Sequence, residues 1–204
     1  MNQVIRIIGG TYRGKKISFP AIEGLRPTPD RVRETLFNWL MHDIREATCL
    51  DAFAGSGALG FEAFSRGAHA VTLVEQSPVA YANLKKQALS FQSARLNVIQ
   101  ADAATFLAET PLAFDVIFFD PPFANLSLFE GPLKQGAAHA LRPGGFLYLE
   151  SPHEIALDRT VWEPLKLKQA GRVFYSLYKK QPSAALFLNP RSVFFHTIQA
   201  DRRP

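Results

Sequence analysis

The 204 residues include one cysteine, Cys49, so no disulfide can close within the chain, and a reducing compartment is expected. It lies in the apolar run "TCLDAF", where packing accounts for it better than nucleophilic chemistry. Long apolar runs are missing too. None reaches the roughly 18 to 20 residues of a membrane-spanning helix, and the opening "MNQVIRIIGGTYRGKK" lacks the apolar stretch of a secretory signal. A cytoplasmic location with no membrane contact is expected. His42, His69, His139, His153 and His196 stand apart, without second ligands at helical or hairpin spacing, so no metal site is expected. No repeat or low-complexity segment is visible. A chain of this length with 47% hydrophobic residues can bury one core, which excludes disorder as its dominant state.

What is present begins with charge. The formal net charge is +5, and the excess is unevenly placed. Arg6, Arg13, Lys15, Lys16, Arg26, Arg31 and Arg33 crowd the N-terminal segment, opposed before Glu34 only by Glu23 and Asp30. Clustered cations favour phosphates, because each neutralised phosphate releases counterions. Taken alone, the cluster is equally well read as a solvated face.

From Cys49 onward, short apolar runs alternate with amphipathic stretches, the pattern of parallel strands joined by crossover helices. "CLDAF", "AVTLVE", "LNVIQAD", "FDVIFFD" and "FLYLE" read as strands. Between them, "ALGFEAFSRG", "SPVAYANLKKQALSF", "AATFLAE" and "LFEGPLKQGAAHAL" read as helices, the last stopped by "RPGG". "WEPLKLKQA" and "RVFYSLYKK", separated by Gly171, suit a closing antiparallel pair. The N-terminal part differs in kind. "VIRIIGG" and "KKISF" suggest a hairpin, and "TPDRVRETLFNWLMHDI" a helix with Thr28 as its N-cap and Pro29 at its first position. Residues 1–45 are expected to form a basic extension, 46–183 the sheet domain, and 184–204 a tail of unassigned role.

Gly55, Gly57 and Gly60 in "LDAFAGSGALG" have the spacing G-x-G-x-x-G. Glycine allows a sharp turn after a strand and close approach of a ligand, and the helix that follows offers unpaired N–H groups. Glu75 lies 20 positions after Gly55, where a carboxylate can accept both hydroxyls of a ribose. Up to this point a nicotinamide dinucleotide and S-adenosylmethionine are served equally. Asp51 precedes the loop inside its own strand, where it could orient the loop amides or reach a cationic ligand. Asp102, in "IQADA", could accept from an adenine amino group. With Asp120, these acids end four successive predicted strands, the edge where open α/β sheets bind ligands.

Asp120, Pro121, Pro122 and Phe123 follow the apolar run "FDVIFF". Two prolines hold the backbone rigid and leave carbonyls exposed. The arrangement suits an exocyclic base amine, whose delocalised lone pair must be aimed by acceptors that hold its hydrogens. Asp120 and the Pro121 carbonyl can serve as acceptors, and Phe123 offers a stacking face for a base taken out of its helix.

The motifs "RIIGGTYRGKKISFP", "LRPTPDRVRETLFNWL", "LDAFAGSGALGFEAFSRGA", "DPPF" and "AGRVFYSLYKK" together resemble the bacterial 16S rRNA guanine-N2 methyltransferase family, in unbroken order over about residues 4 to 180. The resemblance implies a class I methyltransferase fold: a seven-stranded, mostly parallel sheet with helices on both faces, its seventh strand antiparallel, and a small N-terminal hairpin and helix. It implies S-adenosylmethionine as donor and a guanine of 16S rRNA in an assembling 30S particle as acceptor. A monomer is expected. Carried over by position, Phe53, Gly55 and Gly57 would line the methionine part of the cofactor, Glu75 the ribose and Asp102 the adenine, with Asp51, Gln76 and Ala103 completing the site. Asp120 to Phe123 would hold the base. Arg6, Arg13, Lys15 and Lys16 would meet RNA, and Thr28 and Arg33 would close over the cofactor carboxylate or an RNA phosphate. Gln76 and Ser77 depart from the polar pair expected after Glu75, and the tail beyond Ser183 has no counterpart in the family.

Three other readings compete. An adenine-N6 methyltransferase shares the Asp-Pro-Pro-aromatic motif but not the N-terminal motifs. A non-catalytic RNA-binding assembly factor would not need both the glycine loop and "DPPF". A nicotinamide-dependent oxidoreductase leaves "DPPF" and the basic segment without a purpose.

Overall fold

The computed structural model describes residues 2–22 and 27–182. The N-terminal hairpin pairs β1 (Asn2–Arg6) with β2 (Lys16–Pro20), Ile5 opposite Ile17, and α1 follows at Asp30–Trp39. Alternating strands and helices then run β3 (Thr48–Asp51), α2 (Ala58–Ser65), β4 (Ala70–Glu75), α3 (Pro78–Leu89), β5 (Leu96–Gln100), α4 (Ala103–Glu109) and β6 (Phe114–Phe119). The chain closes with a short α5 (Ala138–Ala140) and strands β7 (Leu141–Ser151), β8 (Trp162–Ala170) and β9 (Val173–Lys180).

Seven strands form one sheet in the order β5-β4-β3-β6-β7-β9-β8. The first five are parallel, while β9 inserts antiparallel between β7 and β8. The alternation of side chains along each strand divides the core between two faces. Cys49, Val116, Phe118 and Tyr148 point to the face covered by the hairpin, α1, α2 and α3. Leu50, Ile117, Phe119, Leu147 and Leu149 point to the face covered by α4 and α5. Ile5, Ile17, Phe19, Leu36 and Phe37 share the first core, so the N-terminal extension is packed into the sheet domain. Its turn sits on the end of α2, where Thr11 N–H donates to the Ser65 carbonyl at 2.8 Å. Gly10, at φ +77°, approaches so closely that a Cβ there would lie 1.8 Å from that carbonyl oxygen.

The sequence-based expectations differ from the structure in three places. The helix expected over 28–44 spans only Asp30–Trp39; Pro29 is its N-cap residue and there is no side-chain cap, because the Thr28 hydroxyl turns to Asp120 instead. The helix expected over 128–141 is broken into a 3-10 turn, Leu126–Phe129, and a π-helical turn, Pro132–Ala137, before α5. Pro132 lacks the N–H that would continue a helix from the preceding turn. The helical segment does end at Leu141, just before "RPGG", but these residues lie within β7 as a bulge rather than ahead of the strand. Leu141 pairs with Phe114 and Phe146 with Val116, so the extra residues leave the ladder at Gly144, whose φ is +79°. Among the described residues no helix is long and apolar enough to cross a membrane, and no group of three or more His, Cys, Asp or Glu is placed to hold a metal ion. The tail expected at 184–204, with Glu23 and Arg26 of the basic segment, lies outside the described residues.

Candidate active site

The parallel strands bring their C-terminal ends to one edge, where the acids converge. Asp51 ends β3 and is 2% exposed; its Oδ2 accepts from the Gly60 N–H at 2.9 Å, across the turn into α2. That turn is left-handed at Gly55 and Gly57, with φ of +50° and +78°. A Cβ on Gly57 would lie 2.3 Å from the Phe61 ring, so the spacing in the sequence reflects a steric requirement. Glu75, ending β4, holds the same loop. Its Oε2 accepts from Gly55 N–H at 2.9 Å and its Oε1 from Ser77 N–H at 2.7 Å. A carboxylate has about four acceptor sites, so the two bonds leave capacity for a ribose diol. Asp102 caps α4 by accepting from the Thr105 N–H at 2.9 Å, and Ala103 is buried behind it. Gln76 is exposed, and Phe53 is half-buried, edge-on to Phe119 with centroids 4.9 Å apart.

Asp120 follows β6, half-buried, and its Oδ2 accepts from the Thr28 hydroxyl at 3.3 Å. In the turn after it, the Pro122 carbonyl accepts from the Asn125 N–H at 3.0 Å. Among the described residues no hydrogen bond reaches the Pro121 carbonyl. Phe123 is half-buried against the second core.

A fifth acid escaped the sequence reasoning. Glu150, near the end of β7, is 5% exposed and accepts from the Tyr148 hydroxyl at 2.7 Å. The signal is present in the sequence: "FLYLE" ends in a carboxylate where the neighbouring strands end in theirs.

These groups perturb one another. Burial pushes the Asp51 carboxyl up to about 7, against the Gly60 bond and with Glu75 adding to the rise. Burial, then Glu150 and Asp51, hold Asp120 well above the usual carboxylate range, against the Thr28 bond. Burial likewise raises Glu150, against the bond from Tyr148. The donors to Asp51, Glu75, Asp120 and Glu150 among the described residues are backbone amides and hydroxyls rather than cations. Acids gathered without a cation among their donors resist ionising together, and a ligand that carries positive charge, such as the sulfonium and ammonium of S-adenosylmethionine, would favour their charged forms.

The residues expected to meet RNA divide. Arg6, Arg13 and Lys16 are exposed, and Arg6 and Lys16 line a cavity of about 420 Å³ together with Thr28 and Asp30. The cavity thus adjoins the hydroxyl that holds Asp120. Lys15 is half-buried; its Nζ donates to the Ser90 carbonyl at 3.2 Å and stands over the Phe91 ring. Thr28 is buried at Asp120. Arg33 does not reach a phosphate or the cofactor site. It is fully buried, donating to the Arg6 carbonyl at 3.0 Å and paired with Asp30 at 2.6 Å and Glu62 at 3.4 Å. The reason is helical phase: Arg33 precedes Leu36 and Phe37 by three and four positions, on the buried stripe of α1.

The sequence profile of the conserved hypothetical protein 95 family matches residues 5–179. The ribosomal RNA small subunit methyltransferase D of Escherichia coli strain K12 is 42% identical over 185 residues, covering 87% of this chain and 90% of that protein. Its namesake from Haemophilus influenzae is 43% identical over 181 residues, covering 86% and 93%. The solved structure of the Escherichia coli protein yhhF superposes with a TM-score of 0.80 at 40% identity, covering 88% of this chain and 99% of that one. On a match that spans the hairpin, the glycine loop, the Asp120 turn and the closing antiparallel strands, the chain belongs to the conserved hypothetical protein 95 family.

Proposed function

We propose that this chain methylates the exocyclic N2 of a guanine in small-subunit ribosomal RNA, with S-adenosylmethionine as donor and an assembling 30S particle as substrate. It is an rRNA methyltransferase by its relatives. An exocyclic base amine as acceptor is supported by Asp120 and by the Pro121 carbonyl, which no hydrogen bond reaches among the described residues, beside a cavity flanked by Arg6 and Lys16; guanine rather than adenine is supported by the N-terminal motifs, which an adenine-N6 enzyme does not share.

When bound, S-adenosylmethionine supplies a methyl group already activated by its sulfonium, so the protein contributes orientation, desolvation and charge. Phe53, Gly55 and Gly57 face the methionine part. Glu75 accepts from the ribose hydroxyls while bracing the loop through Gly55. Asp102, Gln76 and Ala103 border the adenine, and Asp51 fixes the turn through Gly60. The base stacks on Phe123, while Asp120 and the Pro121 carbonyl hold the two amine hydrogens and aim the nitrogen lone pair. Asp120 then takes the one proton that the amine must lose. Arg6, Arg13 and Lys16 hold RNA phosphates, with Lys15 secondary to them because it is already engaged.

The test is to incubate the purified protein with S-adenosylmethionine and small-subunit particles from a strain lacking its own gene for this chain, followed by nucleoside mass spectrometry. N2-methylguanosine at one rRNA position is expected, absent with Asp120→Asn. N6-methyladenosine would transfer the chain to the adenine-specific class, and no methylated nucleoside would remove the reading.

A further inference from the structure

The Thr28 hydroxyl reaches one of two neighbouring carboxylates. It donates its one proton to Asp120 Oδ2 at 3.3 Å, and Glu150 stands beside Asp120, because Phe119 of β6 is in register with Leu149 of β7. Glu150 has a donor of its own in Tyr148, at 2.7 Å. Asp120 depends on Thr28, the one hydrogen-bond donor to its carboxylate among the described residues. Two acids side by side at the ends of paired strands, in a place where burial penalises charge, resist being ionised together and titrate as a pair.

We propose that Asp120, Glu150 and Thr28 form one proton-holding unit, in which Glu150 and Thr28 are positioning residues that act on the substrate amine through Asp120. The inference rests on the reading of guanine N2 as acceptor. Its chemistry is a single transfer: one N–H bond of the amine breaks, its electron pair stays on nitrogen, and the proton joins the Asp120 carboxylate, which becomes neutral. Thr28 holds Oδ2, leaving Oδ1 free for the amine. The negative charge of Glu150, anchored by Tyr148, makes Asp120 a stronger proton acceptor than an isolated carboxylate.

The arrangement has a purpose in the fold. Thr28 belongs to the segment between the hairpin and α1, whereas Asp120 and Glu150 belong to the sheet. The acceptor is therefore set only when the N-terminal extension is docked. The other titratable groups facing the unit are Asp51 from β3, Tyr148 from β7 and, beyond them, Glu75 from β4 and Tyr175 from β9. Of these, Asp51 acts on Asp120 through its charge and is present in every variant alike.

The test is the pH profile of single-turnover methyl transfer to small-subunit particles. Activity requires Asp120 ionised, so the rate rises with pH through the apparent pKa of the pair. Glu150→Gln removes the like charge and should move this acid limb to lower pH by about one unit or more. Thr28→Val removes the hydrogen bond that favours the ionised form and should move it to higher pH, with Thr28→Ser restoring the wild-type limb. Opposite displacements support the unit. If both variants lose rate equally at every pH, with the limb where wild type has it, Glu150 and Thr28 are only structural and the proposal falls. Tyr148→Phe, which weakens the anchor of Glu150 while keeping the ring, should move the limb in the direction of Glu150→Gln and decides the matter if that variant does not fold. A wild-type protein that leaves guanine N2 unmethylated overturns the underlying reading. Wild-type methylation with unmoved limbs overturns the inference alone.

Discussion

Arg33 and Glu62 face each other at 3.4 Å with both side chains fully buried, across the seam between the N-terminal extension and the helix that follows the glycine loop. Glu62 also accepts from the N–H groups of Ile8 and Gly9, each at 2.8 Å, and from Arg66 at 2.7 Å. One carboxylate in α2 thus gathers the hairpin, α1 and its own helix.

Without Arg33, Glu62 keeps Arg66 and two N–H donors, so Arg33→Ala is expected to lower the unfolding free energy in urea titrations, by less than the about 3–5 kcal/mol of a fully orphaned buried charge. The salt slope of RNA binding should stay unchanged. A normal stability with a lower salt slope would return Arg33 to the RNA surface.

Arg6→Ala, Arg13→Ala and Lys16→Ala should behave in the opposite way, since all three are exposed. Each phosphate left without its cation lowers the slope of log affinity against log salt by roughly 0.7 to 0.9. Stability and cofactor binding should be those of wild type. Lys15→Ala should change the slope less, because Lys15 is already bound to the end of α3 through Ser90. Fluorescence titrations at several salt concentrations distinguish these cases.

Glu75 braces the glycine loop at Gly55 and Ser77 and is assigned the ribose. Glu75→Ala should weaken S-adenosylhomocysteine binding by roughly 2 to 4 kcal/mol, because two charge-assisted bonds to the ribose disappear. Calorimetry that finds wild-type affinity would withdraw the assignment.

Asp51 gives a pH dependence whose sign is opposite to that of most paired carboxylates. Folded, it keeps its proton up to about 7; unfolded, it releases it near the ordinary value of 3.8. Between those pH values the native chain binds more protons, so this group's contribution to stability is fully present below about 3.8 and is lost as pH rises to about 7. Asp51→Asn keeps an acceptor for Gly60 and should flatten that part of the stability profile. Urea unfolding at pH 5 and pH 8 reads the difference, and an unchanged slope would mean that Asp51 titrates normally.

Asp120→Asn preserves shape but offers the amine an oxygen that takes no proton, so turnover should fall by about two to four orders of magnitude. Phe123→Ala should weaken capture of the base by about 1 to 3 kcal/mol while overall RNA affinity barely changes, because phosphate contacts dominate the latter. Single-turnover rates at saturating and limiting particle concentrations separate the two effects, and near-normal rates in both variants would place the active site elsewhere.

Much of the framework is legible in the amino-acid sequence. The alternation of apolar runs and amphipathic stretches is local and periodic, so the order of strands and helices from β3 to α4 follows from it, as does the pairing of β8 with β9. The glycine loop and the Asp120 turn are legible because each needs particular residues within a few positions. Tertiary structure alone decides what depends on neighbours distant in sequence. Arg33 has the sequence surroundings of a phosphate-binding cation, yet α1 buries it against Glu62, 29 positions away. Thr28 has those of a helix cap, yet its hydroxyl is held on Asp120, 92 positions away. A charged or hydroxyl side chain carries no mark in the sequence of whether its partner is water, a phosphate or a buried carboxylate. That choice is made by which faces the fold brings together, and by the cost of leaving a buried polar group without a partner.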